Sequence, residues 1–343
     1  MTLVVRALKG VLWVVVGVLG LSTCQKKAPA SSYNYLEGDA QGTTFHITYK
    51  DSLGRDFSGS IDSLFRVLDR SMSLWDSTSV IRRINNHEPG VLPDAHFLAV
   101  FRRSQEISQL TNGAFDATVA PLVRAWGFSF KKQSAPPEPS QVDSLRQQVG
   151  YLKARVVAGR VVFDDPRMEV DFNAIAQGYT VDVLADFLIE KGVRHFLVEV
   201  GGEVRAQGRN ERGEVWRVGI DKPVAGETPG RPLQAVVRLD GRSLATSGNY
   251  RKFIERDGKR YSHSIDPQTG YPVTHTLLSV SVLADDCMSA DAFATAFLVM
   301  GTDRAFALAE QLKLPIACIY ENAPGQLTFR ASPDFEPWMI EPE

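Results

Sequence analysis

Residues 196–206 read Phe-Leu-Val-Glu-Val-Gly-Gly-Glu-Val-Arg-Ala, which places a short run of alternating apolar and polar residues on either side of Gly201-Gly202. Such alternation is typical of β-strands, and two glycines between the runs are typical of a tight hairpin turn. The glycines could instead open the backbone to the close approach of a large planar ligand. As a hairpin, the stretch predicts antiparallel pairing rather than a repeated strand-helix-strand array.

The rest of the chain extends this pattern into a sheet with helices. Alternating residues predict strands at 43–49, 155–157, 161–163, 196–200, 203–206, 215–220, 233–239, 253–255, 277–283, 316–320 and 327–329. Apolar residues at helical spacing predict helices around 61–68, 97–110, 181–188, 287–295 and 305–312. The proline-containing segment 128–140 is expected to be an exposed loop between two lobes. We therefore expect an α+β fold, a mostly antiparallel sheet with packed helices, in two lobes that share a ligand cleft.

Composition limits the classes of function. The chain has 343 residues, of which 44% are hydrophobic and 23% charged, so it can bury a sizeable core. A formal net charge of −2 gives no basic excess for nucleic-acid binding. Cys287 and Cys318 are both flanked by apolar or small residues. They are expected to be buried thiols rather than a disulfide or a metal site.

The N-terminus has the pattern of a lipoprotein export signal. Arg6 and Lys9 precede an apolar run at 11–21, and Leu-Ser-Thr-Cys follows at 21–24. A membrane-spanning anchor is the alternative, but the run is shorter than the roughly 20 residues that a span needs. We expect residues 1–23 to be a signal peptide, Cys24 to be lipidated, 24–32 to be a tether and 33–340 to fold as one domain. The protein would then be anchored to a membrane of the bacterial cell envelope, on the periplasmic side.

Several familiar motifs are missing from the sequence. No Gly-x-Gly-x-x-Gly follows a predicted strand into a helix, no Walker loop occurs, and no His-Glu-x-x-His is present. Dinucleotide dehydrogenases, ordinary NTPases and zinc proteases therefore lose their main support.

The segment 261–273, Tyr-Ser-His-Ser-Ile-Asp-Pro-Gln-Thr-Gly-Tyr-Pro-Val, has the strongest concentration of reactive side chains. Asp266-Pro267 and Thr269-Gly270 fix the backbone just beyond His263. This arrangement leaves few ways to bury His263 as a packing residue. A general base or a phosphate contact is the preferred role of His263.

A second candidate lies on the helix predicted around 287–295. Asp291 and Thr295 are four residues apart, so their oxygens face the same way. The pair could form a satisfied polar patch between helices. Because Asp291 has apolar neighbours, however, burying its charge without a cation would be costly. Magnesium suits oxygen ligands at this spacing.

Two further polar positions stay ambiguous when taken alone. Asp171 is expected to end a strand, where a lone aspartate most often caps a helix. Residues 246–250, Thr-Ser-Gly-Asn-Tyr, are expected to form a polar turn that binds phosphate or only caps a bend.

Taken together, separated blocks of this sequence resemble the ApbE-type FAD:protein FMN transferases over roughly residues 33 to 330. The blocks, which follow the family order, are 38–44 (Gly-Asp-Ala-Gln-Gly-Thr-Thr), 111–123 with 126–128, 171–179 (Asp-Phe-Asn-Ala-Ile-Ala-Gln-Gly-Tyr), 246–250, and 262–270 with 290–295 (Ala-Asp-Ala-Phe-Ala-Thr). Many ordered motifs are far more specific than one short motif. A lipoprotein signal is common in that family.

The resemblance implies a magnesium-dependent transferase of protein flavinylation. It would split FAD at the pyrophosphate, join the FMN half to a threonine hydroxyl of an acceptor protein, and release AMP. Asp291 and Thr295 would hold Mg²⁺ with the backbone carbonyl of Ala174, and His263 or Asp291 would serve as the base. The acceptor would be a membrane redox subunit, and nucleic acid is not expected as a partner.

The resemblance also implies a set of residues around FAD. These are Gln41, Trp75, Ala114, Phe115, Asp116, Asp171, Gln177, Gly201, Gly202, Thr246, Ser247, Gly248 and Ile265. Two other functions stay open at this point. The same site could hydrolyse FAD to FMN and AMP, or the protein could be a non-enzymatic, lipid-anchored FAD-binding protein whose metal is structural.

Overall fold

The computed structural model describes residues 33–128, 135–223, 232–249, 253–256, 259–323 and 325–340. The expected signal peptide and tether, the lipidated Cys24, Tyr250 of the polar turn, and residues 129–134 of the expected loop lie outside these residues. Among the described residues, no helix is both long and apolar enough to cross a membrane.

The helices and strands follow one another along the chain. The helices are α1 (Ser58–Met72), α2 (Val80–Asn85), α3 (Ala95–Leu110), α4 (Ala120–Ala125), α5 (Pro139–Arg146), α6 (Ala176–Glu190), α7 (Cys287–Met300) and α8 (Thr302–Leu312). The strands are β1 (Tyr33–Ala40), β2 (Thr43–Lys50), β3 (Ala154–Val157), β4 (Arg160–Phe163), β5 (Phe196–Val200), β6 (Glu203–Gln207), β7 (Trp216–Asp221), β8 (Leu233–Leu239), β9 (Arg242–Gly248), β10 (Phe253–Arg256), β11 (Lys259–Ser262), β12 (Leu277–Ala284), β13 (Ile316–Ala323), β14 (Gln326–Ala331) and β15 (Met339–Ile340).

An antiparallel sheet forms the centre of the fold. Within the described residues it has eight strands in the order β1-β2-β5-β6-β9-β12-β13-β14, and every neighbouring pair is antiparallel. Val200 pairs with Glu203 across the β5–β6 turn, where Gly201 and Gly202 have φ angles of 66° and 104°. Both angles are in the region that favours glycine, so the hairpin interpretation is confirmed.

Each face of the sheet carries its own layer. On one face α6 packs over β5 and β6, and α7 packs over β9 and β12. Alternate residues of β12 show the division, since Val280 and Val282 belong to the core beneath the helices and Leu283 to the core on the other face. On the face opposite the helices, the second layer is a three-stranded sheet, β15-β8-β7. This arrangement confirms the predicted α+β class.

A small separate cluster joins α4 and α5 to the loop that carries His263. Its buried members are Leu122, Trp126, Val142, Val149 and Ile265. The expected division into two lobes stays a prediction, because this cluster draws residues from both sides of segment 128–140. The ligand cleft between them stays a prediction.

Three local expectations were wrong. Residues 246–248 form the end of β9 rather than a polar turn, because sheet pairing with β12 and hydroxyl contacts to Ser281 and Thr295 override their local preference. Asp171 lies outside any strand, and its side chain accepts the Asn173 amide within the loop before α6 instead of capping the helix. The expected loop 128–140 gives way to α5 at Pro139, where Glu138 and Gln141 form a capping box.

The expectation for the cysteines is confirmed, since Cys287 and Cys318 are free and buried. Cys287 begins α7 and lies against Gly178 of α6. A methyl group on Gly178 of α6 would overlap the Cys287 carbonyl oxygen and lie 2.8 Å from Cβ of Asp291. Glycine at 178 therefore sets how near the two helices can come.

We expect Gly178→Ala to lower the free energy of unfolding by about 2–3 kcal/mol, because the clash is with backbone that cannot move aside without shifting a whole helix. Gly59→Ala is the matched control, since Gly59 lies in α1 and its added methyl meets nothing within 4 Å. This control should raise stability by about 0.5 kcal/mol. Urea unfolding measures both, and equal effects would refute the close packing at Gly178.

Candidate functional site

Asp291 is a buried carboxyl on the α6-facing side of α7. Asp291 is only 5% exposed, and its Oδ2 accepts a hydrogen bond of 3.1 Å from the Gly178 amide. Burial raises the pKa of Asp291 to about 7, against the lowering effect of the Gly178 hydrogen bond. The carboxyl of Asp291 therefore changes between its neutral and its charged form near neutral pH.

Neutral oxygen groups are found one helical turn from Asp291 on α7 and four residues before its partner Gly178. Thr295 lies one helical turn further along α7, and its Oγ1 is 3.0 Å from Oγ of Ser247 on β9. Ala174 lies in the turn that leads into α6, four residues before Gly178, whose amide donates to Asp291. Helix α7, strand β9 and the turn before α6 thus each carry one of these oxygen groups.

These groups fit a hard divalent cation. Among the described residues, no group of three or more His, Cys, Asp or Glu side chains could hold a metal, so a site at Asp291 would rely mainly on neutral oxygens. Asp291 accepts one hydrogen bond in the described structure and is otherwise surrounded by buried alanine and phenylalanine. A cation would compensate the charge that burial makes unfavourable, and oxygen ligands are those that magnesium prefers.

The first half of α6 also contacts the two hairpin turns of the sheet. Thr180 donates a hydrogen bond of 3.1 Å to Oε1 of Gln41, which lies in the β1–β2 turn with a φ of 54°. Gln177 packs against the β5–β6 turn so closely that a methyl group on Gly201 would lie 2.8 Å from its Nε2. Gln41, Gln177 and Gly201 are therefore brought together around one helix end.

Two more aspartates expected at the site accept hydrogen bonds from the protein's own backbone amides. Asp116 is buried, and its oxygens accept the Thr118 amide, the Thr118 hydroxyl and the Tyr151 amide at 2.6–2.8 Å. Burial raises the pKa of Asp116 and of Asp171. The Asp171 amide donates to the Ala117 carbonyl at 2.7 Å, which joins the two segments. Asp116 here stabilises the loop after α3.

Other expected site residues differ widely in exposure. Ala114 and Phe115 are 4% and 3% exposed, and Phe115 belongs to the main core. Ile265 is 5% exposed and packs in the small cluster with Trp126. Trp75 is at the opposite extreme, since it is 66% exposed in the loop between α1 and α2. Of these four, Trp75 alone offers a largely open side chain.

The loop after His263 is fixed at both ends. Asp266 accepts the Gln268 amide, and the Gln268 side chain donates to the Asn112 carbonyl. The Trp126 indole donates to the Gly270 carbonyl at 2.8 Å. The His263 ring lies edge-on to Phe128, with 6.3 Å between the ring centroids. The loop is thus held against the α3–α4 region, as the turn residues beyond His263 predict.

Comparison with known proteins decides the family. The ApbE family profile matches residues 41–320 of the chain. The chain belongs to the ApbE family. The predicted resemblance is therefore confirmed over most of the sequence.

Individual members of the ApbE family are similar along nearly their whole length. A Vibrio cholerae protein named FAD:protein FMN transferase is 35% identical over 330 residues, covering 94% of this chain and 96% of that protein. One from Haemophilus influenzae with the same name is 33% identical and covers 92% of this chain and 93% of that protein. The solved structure of flavin transferase ApbE from Vibrio cholerae is 33% identical, with a TM-score of 0.81 over 90% of this chain and all of that one.

Sequence reasoning missed two residues that shape this ApbE-family site. Gly178 lies in the predicted segment 171–179, and glycine inside a helix disfavours helix formation, which is a signal of a packing reason. Asp182, one turn further along α6, is buried and accepts the amides of Cys287 and Met288. A buried aspartate on an otherwise apolar helix stripe was the available signal.

The raised pKa of Asp291 predicts how stability depends on pH without metal. Because the folded-state pKa of about 7 exceeds the ordinary 3.8, the folded protein holds this proton more tightly than the unfolded chain. The resulting stabilisation is complete below the unfolded pKa and is lost as pH rises toward the folded pKa, by up to about 1.4 kcal/mol per pH unit. Asp291→Asn cannot titrate, so it should gain stability relative to the natural protein as pH rises over this range.

Urea unfolding in metal-free buffer at about pH 4.5 and about pH 7.5 measures this difference, across the window set by the two pKa values. Thr295→Val is the control, because it changes a neighbouring group that has no titrating proton. Its difference from the natural protein should be the same at both pH values. A difference for Asp291→Asn that is also independent of pH would contradict the assignment.

Proposed function

We propose that the protein transfers the FMN moiety of FAD to a threonine hydroxyl of an acceptor protein, with release of AMP, in a magnesium-dependent reaction. Membership of the ApbE family and relatives named FAD:protein FMN transferase support this proposal. The observation that carries it on the structural side is the buried Asp291 on α7, one helical turn before Thr295, whose hydroxyl is 3.0 Å from that of Ser247.

Asp291, Thr295 and the backbone carbonyl of Ala174 are the proposed magnesium ligands. Bound magnesium would neutralise the pyrophosphate of FAD as its bond to AMP breaks. The Gly178 amide holds Oδ2 of Asp291 in place, which leaves Oδ1 for the cation. Ser247 supports the Thr295 hydroxyl from β9 through their contact of 3.0 Å.

His263 is the proposed general base. The acceptor threonine oxygen attacks the phosphorus of the FMN half, its proton passes to His263, and the bond from that phosphorus to the oxygen of AMP breaks. A carboxylate that coordinates a cation is a weak proton acceptor, so Asp291 is better suited to the metal than to this step. The contacts of Gln268 and Trp126 that fix the loop would hold the histidine ring in position.

The remaining expected residues would hold the dinucleotide. Gln41, Gln177 and Gly201 converge on the first half of α6, and the exposed ring of Trp75 is available for stacking on the flavin. Ala114, Phe115 and Ile265 are buried, so their contacts would come from backbone atoms. Lipidation at Cys24 would place the protein on a membrane beside its acceptor, for which we propose a membrane redox subunit.

A mass measurement tests the reaction. Purified protein with FAD, MgCl₂ and a threonine-bearing acceptor domain should add the mass of one FMN to the acceptor. Asp291→Ala should abolish the addition and Thr295→Val should slow it strongly, because the pyrophosphate charge is left uncompensated. Asp303→Ala on α8 is the matched aspartate control and should retain activity. AMP release without any gain in acceptor mass would show hydrolysis instead, and intact FAD would show binding only.

A separate test addresses the base. We expect His263→Gln to lower the transfer rate about 10²–10⁴-fold, the usual contribution of general base catalysis, and to remove the rise of rate with pH near the histidine pKa. His87→Asn is the control, since His87 is an exposed histidine with a φ of 54° that asparagine tolerates. A His263→Gln enzyme that keeps both its rate and its pH profile would exclude His263 as the base.

A further inference from the structure

Helices α6 and α7 cap each other through two aspartates. The Gly178 amide in the first turn of α6 donates to Asp291 of α7 at 3.1 Å. The Cys287 amide, in the first turn of α7, donates to Asp182 of α6 at 2.9 Å. Asp182 lies four residues after Gly178, and Asp291 lies four residues after Cys287. Each helix therefore donates a first-turn amide to an aspartate at the same relative position on the other helix.

Both carboxylate oxygens of Asp182 accept hydrogen bonds. Its Oδ1 accepts the Cys287 amide and a hydrogen bond of 2.9 Å from Arg205, and its Oδ2 accepts the Met288 amide at 2.8 Å. First-turn amides have no partner within their own helix, and a carboxylate there also interacts favourably with the helix dipole. With these donors in place, Asp182 supports α7 and is not available as a metal ligand.

The remaining first-turn amide of α7 is capped in a different way. The Ser289 amide donates to Asp286 at 2.7 Å, and Asp286 is the residue directly before the same helix. Asp286 therefore stabilises α7 locally, whereas Asp182 joins α7 to α6. The chain offers two carboxylate caps of one helix, of which only one connects the two helices.

We propose that Asp182 is a positioning residue for the magnesium site, which it controls by holding α7, and with it Asp291 and Thr295, at a fixed distance from the start of α6. This inference rests on the proposed function, because it takes Asp291, Thr295 and the Ala174 carbonyl as the ligands. Those ligands come from α7 and from the turn that leads into α6, so a shift of α7 along α6 separates them. Gly178 permits the close approach, and Asp182 sets where along α6 the approach occurs.

The deciding variant is Asp182→Asn. Asparagine has a side chain of the same size but only one acceptor oxygen for the two α7 amides. Its NH₂ group faces the second amide and cannot accept a hydrogen bond from it. Arg205 keeps a partner in this variant, because it also contacts Asp186 at 3.0 Å. Asp286→Asn is the matched control, since it weakens a cap of the same helix without touching α6.

Calorimetric titration of MgCl₂ into the full chain measures the effect without requiring turnover. We expect Asp182→Asn to weaken magnesium binding about 10–100-fold, as loss of an outer-shell partner does, while FAD affinity in magnesium-free buffer stays unchanged. Asp286→Asn should lower the melting temperature by a similar amount and leave magnesium affinity near that of the natural protein. Equal effects of the two variants on magnesium binding would overturn the proposal.

Asp291→Ala in the same titration separates this inference from the proposed function. If it binds magnesium as the natural protein does, the metal assignment fails and this inference fails with it. If it loses magnesium binding while Asp182→Asn and Asp286→Asn behave alike, only the role of Asp182 is refuted.

Hydrogen exchange of the natural protein gives a test that does not depend on a variant folding. Coupling between two equilibria is reciprocal, so magnesium must strengthen the Asp182 cap if the cap strengthens magnesium binding. Saturating MgCl₂ should slow exchange of the Cys287 and Met288 amides. The Phe97 amide, capped by Asp94 at 2.8 Å on α3, is the control and should change far less. Equal slowing of all three amides, or none, would overturn the proposal.

Discussion

The close crossing of α6 and α7 is the constraint on which the rest of the site depends. At Gly178 the α6 backbone meets the Cys287 carbonyl with no room for a methyl group. This contact brings a carboxyl of α7 into the first turn of α6 and a carboxyl of α6 into the first turn of α7. The first-turn amides of a helix have no hydrogen-bond partner within that helix. Here the neighbouring helix supplies acceptors for them, which fixes α6 and α7 as one unit.

The central sheet gives this pair its platform. Because α6 lies over β5 and β6 while α7 lies over β9 and β12, the hydroxyl of Ser247 on β9 reaches Thr295, and the β5–β6 turn reaches Gln177. The layer on the opposite face packs against alternate residues of the same strands. Buried on both faces, the strands resist displacement, and the polar groups at their ends keep their positions.

Sequence periodicity predicted most helices and strands, because each buries one apolar face. It failed where tertiary contacts decide. Strand β9 ends in Thr246-Ser247-Gly248, a turn-like composition whose hydroxyls are satisfied only by β12 and α7. The segments that form the site stay a prediction from the motif resemblance, which gives no sign that Asp116 accepts hydrogen bonds from its own loop or that Ile265 packs in a hydrophobic cluster. The role of Asp182 could not be predicted, because the two α7 amides that it accepts lie more than one hundred residues away along the chain.

A site with one carboxylate has an electrostatic consequence for its ligands. In the proposed site, magnesium bound to Asp291 would leave an excess positive charge in a buried position, where low polarity makes uncompensated charge costly. The pyrophosphate of a dinucleotide supplies the opposite charge. Metal and dinucleotide should therefore each improve the binding of the other, and a second acidic ligand would weaken this coupling by satisfying the cation in advance.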